Sequence, residues 1–233
     1  MIFQAEQTSR DPISIVANTL QIRDVTDDKH SLQVAFTMVA ENYALLSTRD
    51  LTIEETYQEL CTDLFYRKGI SRTILATGYH PIRKEISDLA TARVIVNFRS
   101  NNDTPALEAM HLVHPPNGWE NFDFMGFNPA SSAEIGRFVV IPDCRQSKIG
   151  ATSLVTFLLE QIFWQCVDIA HKHNKDQIWA IMPKYTVRIV ESFGVKCIPI
   201  PAMQLNYREH HNLFNKYNRY WLHGNPWFYR FDI

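Results

Sequence analysis

Apolar and polar positions alternate along the chain in blocks that predict strands and helices in turn. Residues 13 to 23, with Ile13, Ile15, Val16, Leu20 and Ile22 interrupted by Asn18, have the composition of a first strand. Asp24 and Thr26-Asp27-Asp28 supply N-cap chemistry for a helix through Leu32, Val34, Ala35, Met38, Val39, Tyr43 and Leu46. Thr52 with Glu55 makes a capping box, and Ile53, Tyr57, Leu60, Leu64 and Phe65 give a second amphipathic helix ending near Gly69. Residues 73 to 76, a turn around 78 to 81 and an alternating run from Ala90 to Phe98 read as a hairpin of two strands. Residues 101 to 130 mix Pro105, Pro115, Pro116 and Pro129 with Trp119, Phe122, Phe124 and Phe127, the pattern of an irregular, aromatic-rich insertion.

The second half is more regular. A strand is expected over residues 134 to 141 and a long helix over 151 to 173, with Val155, Leu158, Leu159, Ile162, Cys166, Ile169 and Ala170 at helical spacing. The wholly apolar run 178 to 182 is a strand buried on both faces. A helix over 185 to 192, stopped by Gly194, and strands over 195 to 200 and 220 to 233 complete the chain. No segment of the 233 residues looks like a linker, so residues 1 to 233 are read as a single α/β domain.

Composition narrows the partners. A formal net charge of -2 leaves no basic field for nucleic acid. Cys61, Cys144, Cys166 and Cys197 are too widely spaced for a zinc site or a disulfide framework and read as reduced thiols. His111 with His114, and His210 with His211, lack further ligands, so a metal is not expected. The first residues are polar and no apolar run approaches a membrane span, which leads to the expectation of a cytoplasmic protein.

Candidate chemistry concentrates between residues 134 and 150. A strand carrying Glu134 and Arg137 runs into a turn with Arg145 and Lys148, closed by Gly150 before the long helix. Such a strand, cationic turn and helix can present backbone N–H groups to a phosphate. The element order resembles the GNAT acyltransferase fold, and Arg145-Gln146-Ser147-Lys148-Ile149-Gly150 is similar to its acyl-CoA motif Arg/Gln-x-x-Gly-x-Gly/Ala, with Lys148 in place of the first glycine. Phe193-Gly194-Val195 resembles, in swapped order, the Gly-Phe ending of that family's fourth helix. Glu134-Ile135-Gly136-Arg137-Phe138 resembles the Glu-x-x-Arg-Phe strand of N-acyl-homoserine-lactone synthases and of N-acyl amino acid synthases of the N-acyl-tyrosine synthase type.

The resemblance implies a GNAT-like α/β (α+β) fold: a mixed, mostly antiparallel central sheet with helices on both faces and a splayed strand pair that binds acyl-pantetheine. By that resemblance the backbone of Arg137, Phe138, Val139, Val140 and Ile141 would hold the pantetheine amides. The phosphate end would rest on Arg145 and on the N–H groups of Gln146, Ser147, Lys148, Ile149, Gly150 and Ala151. Lys148 departs from the family in a way that suits one phosphodiester on an acidic carrier protein better than a CoA pyrophosphate. Glu134 would be the general base for an acceptor amine, with Arg137 ordering it or serving only as an ion-pair partner. No cofactor is expected to be held permanently; the donor, acyl carrier protein or acyl-CoA, is a co-substrate. The expected activity is therefore N-acyl transfer, with a long acyl chain, to an amino acid or similar small amine. The alternatives are an acetyl-CoA-dependent N-acetyltransferase and a catalytically silent thioester-binding module. Trp119, Phe122, Phe124, Phe127, Tyr220, Trp221, Trp227 and Phe228 are either tunnel wall or plain core. Arg93, Arg99 and Arg188 are the arginines available to an acceptor carboxylate.

Overall fold

The computed structural model describes residues 12–46, 52–67, 69–96, 113–114, 130–145, 148–149, 152–200, 204–205 and 227–233. The first element is a helix, α1 (Pro12–Thr19), and only β1 (Gln21–Asp24) is extended, which corrects the expectation of a strand from residue 13. Pro12 occupies a first-turn position that tolerates proline, and Val16 is wholly buried beneath the helix. The Thr19 hydroxyl donates to the carbonyls of Ile15 and Val16 and accepts the N–H of Tyr79, closing the helix onto the sheet. Packing against the sheet overrides the strand preference of the β-branched residues.

Helix α2 (Lys29–Leu46) follows, capped by Asp28, whose carboxylate accepts the N–H groups of His30 and Ser31. The capping box of Thr52 and Glu55 forms as expected at the start of α3 (Ile53–Cys61). That helix does not continue to Gly69. It stops at Thr62, and Asp63 opens a separate short helix, α4 (Leu64–Arg67), by accepting the N–H of Tyr66. The hairpin is longer than the sequence pattern implies: β2 (Ser71–His80) and β3 (Glu85–Val96) pair over their whole length. Of the region expected to be an irregular insertion, the described residues include β4 (Val113–His114) and Ala130.

The central strand β5 (Ser132–Val140) leads into a four-residue helix, α5 (Pro142–Arg145). Next come β6 (Lys148–Ile149) and β7 (Thr152–Ser153), which pair with each other, then the long helix α6 (Leu154–Lys172) and β8 (Gln177–Met182). Helix α7 (Lys184–Glu191), β9 (Lys196–Pro199), β10 (Gln204–Leu205) and β11 (Trp227–Asp232) end the described chain. The pair β4 and β10 forms a separate two-stranded ribbon.

Among the described residues seven strands make one sheet in the order β1-β2-β3-β5-β8-β11-β9, in which β5 with β8 is the one parallel pair. On one face Ile74, Ala92, Val94, Ile135, Ile178 and Phe231 pack against Leu158, Ile162 and Phe163 of α6. On the other, Leu75 and Val139 pack against Leu32, Phe36 and Val39 of α2 and Leu60 of α3. Each such buried Val, Leu, Ile or Phe side chain contributes about 2 kcal/mol of transfer free energy. The described residues thus form the layout expected from the chain's motifs: a mostly antiparallel mixed sheet, helices on both faces, and a parallel pair at its centre.

Candidate active site

The site is organised by the parting of two strands. β5 and β8 pair only over Ser132↔Gln177, Ala133↔Ile178 and Glu134↔Trp179. Beyond that point β5 runs on to Val140 against β3, while β8 runs on to Met182 against β11. No strand pairing joins the two diverging segments among the described residues, so a wedge opens between them. Ile141 donates its N–H to Leu89 of β3. The two-residue alternation of an antiparallel ladder then turns the N–H and C=O of Val140 away from β3, toward the wedge. Arg145 accordingly reaches the Val140 carbonyl with its Nε, at 3.0 Å.

Inside the wedge β5 is bulged. Register passes from Thr91↔Val139 to Arg93↔Gly136, so Arg137 and Phe138 together oppose Ala92. Arg137 takes a φ of 54°, a left-handed conformation unusual for a side-chain-bearing residue. Strict alternation would send the side chains of Glu134 and Arg137 to opposite faces; the extra residue cancels that offset. The guanidinium of Arg137 therefore meets Asp63 on the same face as Arg93, with Nη2 to Oδ2 at 2.5 Å and Arg93 Nη1 to the same oxygen at 3.1 Å. Arg93 also lies over the Phe65 ring, 5.4 Å from its centroid.

Burial by itself would raise the pKa of Asp63, but Arg93, Arg137 and the Tyr66 N–H outweigh it and hold the carboxyl below 3.8. Glu134 is 4% exposed and sits at the last paired position before the strands part, two residues from Gly136 and so on the face of Arg93. On that face Trp179 stacks on Phe228 at 5.2 Å and donates Nε1–H to the Ser132 hydroxyl. Phe228 is 2% exposed and is thus core at the base of the wedge. The other aromatics weighed as tunnel wall, together with Arg99, lie outside the described residues or have undescribed side chains. Arg188 is exposed on α7.

A groove of about 390 Å³ runs beside the end of β5. It is lined by Val139, Ile141 and Pro142, by Met38, Glu41, Ala44 and Leu45 of α2, and by Ile53 of α3. Arg145 reaches across beside it to the side-chain oxygen of Asn42. Helix α5 is held from the opposite side by Asp143, whose Oδ2 accepts Arg83 Nη2 at 3.0 Å and lies 3.7 Å from His80 Nε2. Burial and then the charge of Arg83 lower the pKa of His80, and its Nδ1 accepts the N–H groups of Ile82 and Arg83.

Of the expected phosphate-binding residues, Arg145, Lys148 and Ile149 are described; Gln146, Ser147, Gly150 and Ala151 are outside the described residues. The expectation that the long helix opens at residue 151 is corrected. Lys148↔Ser153 and Ile149↔Thr152 pair first, and α6 begins at Leu154 with Ser153 as its cap, its hydroxyl accepting the Thr156 N–H at 3.1 Å. A serine hydroxyl satisfies an orphan N–H that an alanine start cannot. Sequence reasoning missed Asp63, Asn42 and the groove, whose parts are far apart along the chain.

No protein-family model matches the chain, and no curated protein does. Solved structures align with it along most of its length. An acetyltransferase from Streptococcus agalactiae aligns at 12% identity over 91% of this chain and 97% of that one, with a TM-score of 0.48. The AHL synthase LasI aligns at 9% identity over 91% and 88%, TM-score 0.48. A spermidine N-acetyltransferase from Vibrio cholerae, solved with CoA and spermine, aligns at 10% over 92% and 94%, TM-score 0.43.

Among the described residues no cluster of His, Cys, Asp and Glu is suited to a metal, and no helix is long and apolar enough to cross a membrane.

Proposed function

We infer that the protein transfers an acyl group from an acyl-pantetheine thioester to the amine of an amino acid or amino-acid-like acceptor. The observation that carries this reading is the parting of β5 from β8 after Glu134↔Trp179, which leaves a strand edge to which an extended ligand with amide groups can add. The pantetheine arm would lie along Arg137, Phe138, Val139, Val140 and Ile141. Its anionic end would meet Arg145 and the turn of Gln146, Ser147, Lys148, Ile149, Gly150 and Ala151. The apolar groove beside Val139 and Ile141 supports a donor with substantial apolar bulk.

In this reading the amine nitrogen attacks the thioester carbonyl carbon, the C–N bond forms and the C–S bond breaks. Glu134 takes the proton lost by the amine, which ends on the departing thiolate, so the products are an amide and a free thiol. The bulge at Arg137 would bring backbone groups beside the reacting carbonyl, where an N–H would favour the developing oxyanion. The donor of choice is acyl carrier protein, since Lys148 and Arg145 suit one phosphodiester on an acidic surface.

The test offers purified protein acetyl-CoA, a long-chain acyl-CoA and acyl-loaded carrier protein with the standard amino acids, following thiol release and product mass. Release from the carrier protein with a new amide mass is expected. Release from acetyl-CoA alone would replace this reading by an acetyltransferase, and donor binding without turnover would make the protein a thioester-binding module.

A further inference from the structure

Gly136 stands at the centre of the proposed site, and among the described residues neither backbone conformation nor packing accounts for a glycine there. Arg137 beside it has a positive φ, but Gly136 does not. Among the described residues no atom lies within 4 Å of the place a Cβ would take. Against the described residues a larger side chain fits, and it would favour the strand, because glycine in a strand interior costs about 0.5 to 1 kcal/mol relative to alanine. A glycine inside a strand often marks close approach by a ligand.

Its surroundings say what could approach. Gly136 faces Arg93 across the ladder and is two residues from Glu134, so its missing side chain leaves room on the face that carries the buried carboxylate. Gly136 is half-buried, whereas Glu134 and Ile135 are buried, so solvent reaches the bare backbone two residues from the acid. The bulge begins at the next residue, and the Asp63–Arg93–Arg137 cluster borders the space on the β3 side.

We propose that the open space over Gly136 is the acceptor subsite, through which a primary amine reaches Glu134, and that side-chain volume at position 136 limits the bulk of the amine accepted. This rests on the acyl-transfer reading above. The test introduces a thiol with G136C and treats folded protein with iodoacetamide, with labelling located by peptide mass. Cys144, Cys166 and Cys197 are buried, and burial pushes the thiols of Cys144 and Cys197 up to about 11 and about 12, so they serve as slow internal references.

The introduced thiol is expected to be alkylated at least tenfold faster than Cys144. Once blocked, the protein should lose at least tenfold in kcat/KM for the amine while acyl-CoA still raises its Tm. In a second series, G136A and G136V, kcat/KM for amino acids should fall in the order Gly, Ala, Val with Tm unchanged or raised. Hydroxylamine, as a minimal amine, should lose least. An active wild-type protein in which the introduced thiol reacts only in denaturant, or in which G136V transfers to every amine at the wild-type rate, overturns the subsite alone. A reactive thiol in a protein whose wild type releases no thiol from any donor overturns the transfer reading and the subsite with it.

Discussion

Asp63 is the side chain on which the electrostatics of the site turn. One of its oxygens holds both Arg93 and Arg137, and all three side chains are nearly withdrawn from solvent. Because its folded pKa lies below 3.8, its contribution to stability is present above pH 3.8 and is lost as pH falls through the lower folded value. D63N should therefore cost about 3 kcal/mol near neutral pH, since two buried guanidinium groups lose their counter-charge. Urea denaturation across pH should find this difference shrinking below pH 3.8; a constant difference would assign the loss to packing. For Glu134 the corresponding test is E134Q. It should lower kcat by about 10²-fold, the low end of general-base catalysis, with donor affinity kept, and an unchanged rate would remove Glu134 from that role. Glu134 could be picked out from a local motif. Asp63 could not, because its partners lie 30 and 74 positions away.

At the scale of elements, α5 and the start of α6 separate two functions that the sequence pattern merges. Ser153 caps α6 through the Thr156 N–H, so S153A should cost about 1 kcal/mol. Donor affinity should persist, since the donor is proposed to rest on residues 145 to 151. Calorimetry with and without acyl-CoA separates the two, and an equal loss of binding would place the phosphate on the helix start instead. Arg145 belongs to α5 and bridges Val140 to Asn42. R145A is expected to raise the donor KM about tenfold, or about 1.4 kcal/mol, with kcat little changed and the effect shrinking at high salt. The central strand, the hairpin and helices α2, α3, α6 and α7 could be placed from periodicity, whereas the β-branched residues of α1 read as a strand. The bulge could not, because one extra residue in β5 leaves the hydrophobic pattern intact while reversing which face Arg137 serves.

At the scale of the whole molecule, the sheet has two halves, β1-β2-β3-β5 and β8-β11-β9, joined by three parallel residue pairs. Helix α6 connects them in sequence and packs on residues from both. A ligand that fills the wedge would add strand-like pairing between the halves and stabilise the protein by mass action, by about 2.7 kcal/mol at a hundredfold excess over Kd. Acyl-CoA should therefore raise Tm and slow amide exchange of Val140 and of β8, whereas adenosine 3′,5′-bisphosphate, which lacks the pantetheine arm, should leave those amides unchanged. Equal protection by both would put the ligand on the turn alone. The amino-acid sequence by itself determined most of the elements, most of their order and the Glu134 to Gly150 run, because periodicity, caps and short motifs act between neighbours. Folding decided the parting of β5 and β8, the left-handed Arg137, the Asp63 cluster and the groove against α2, because each depends on groups brought together from distant parts of the chain.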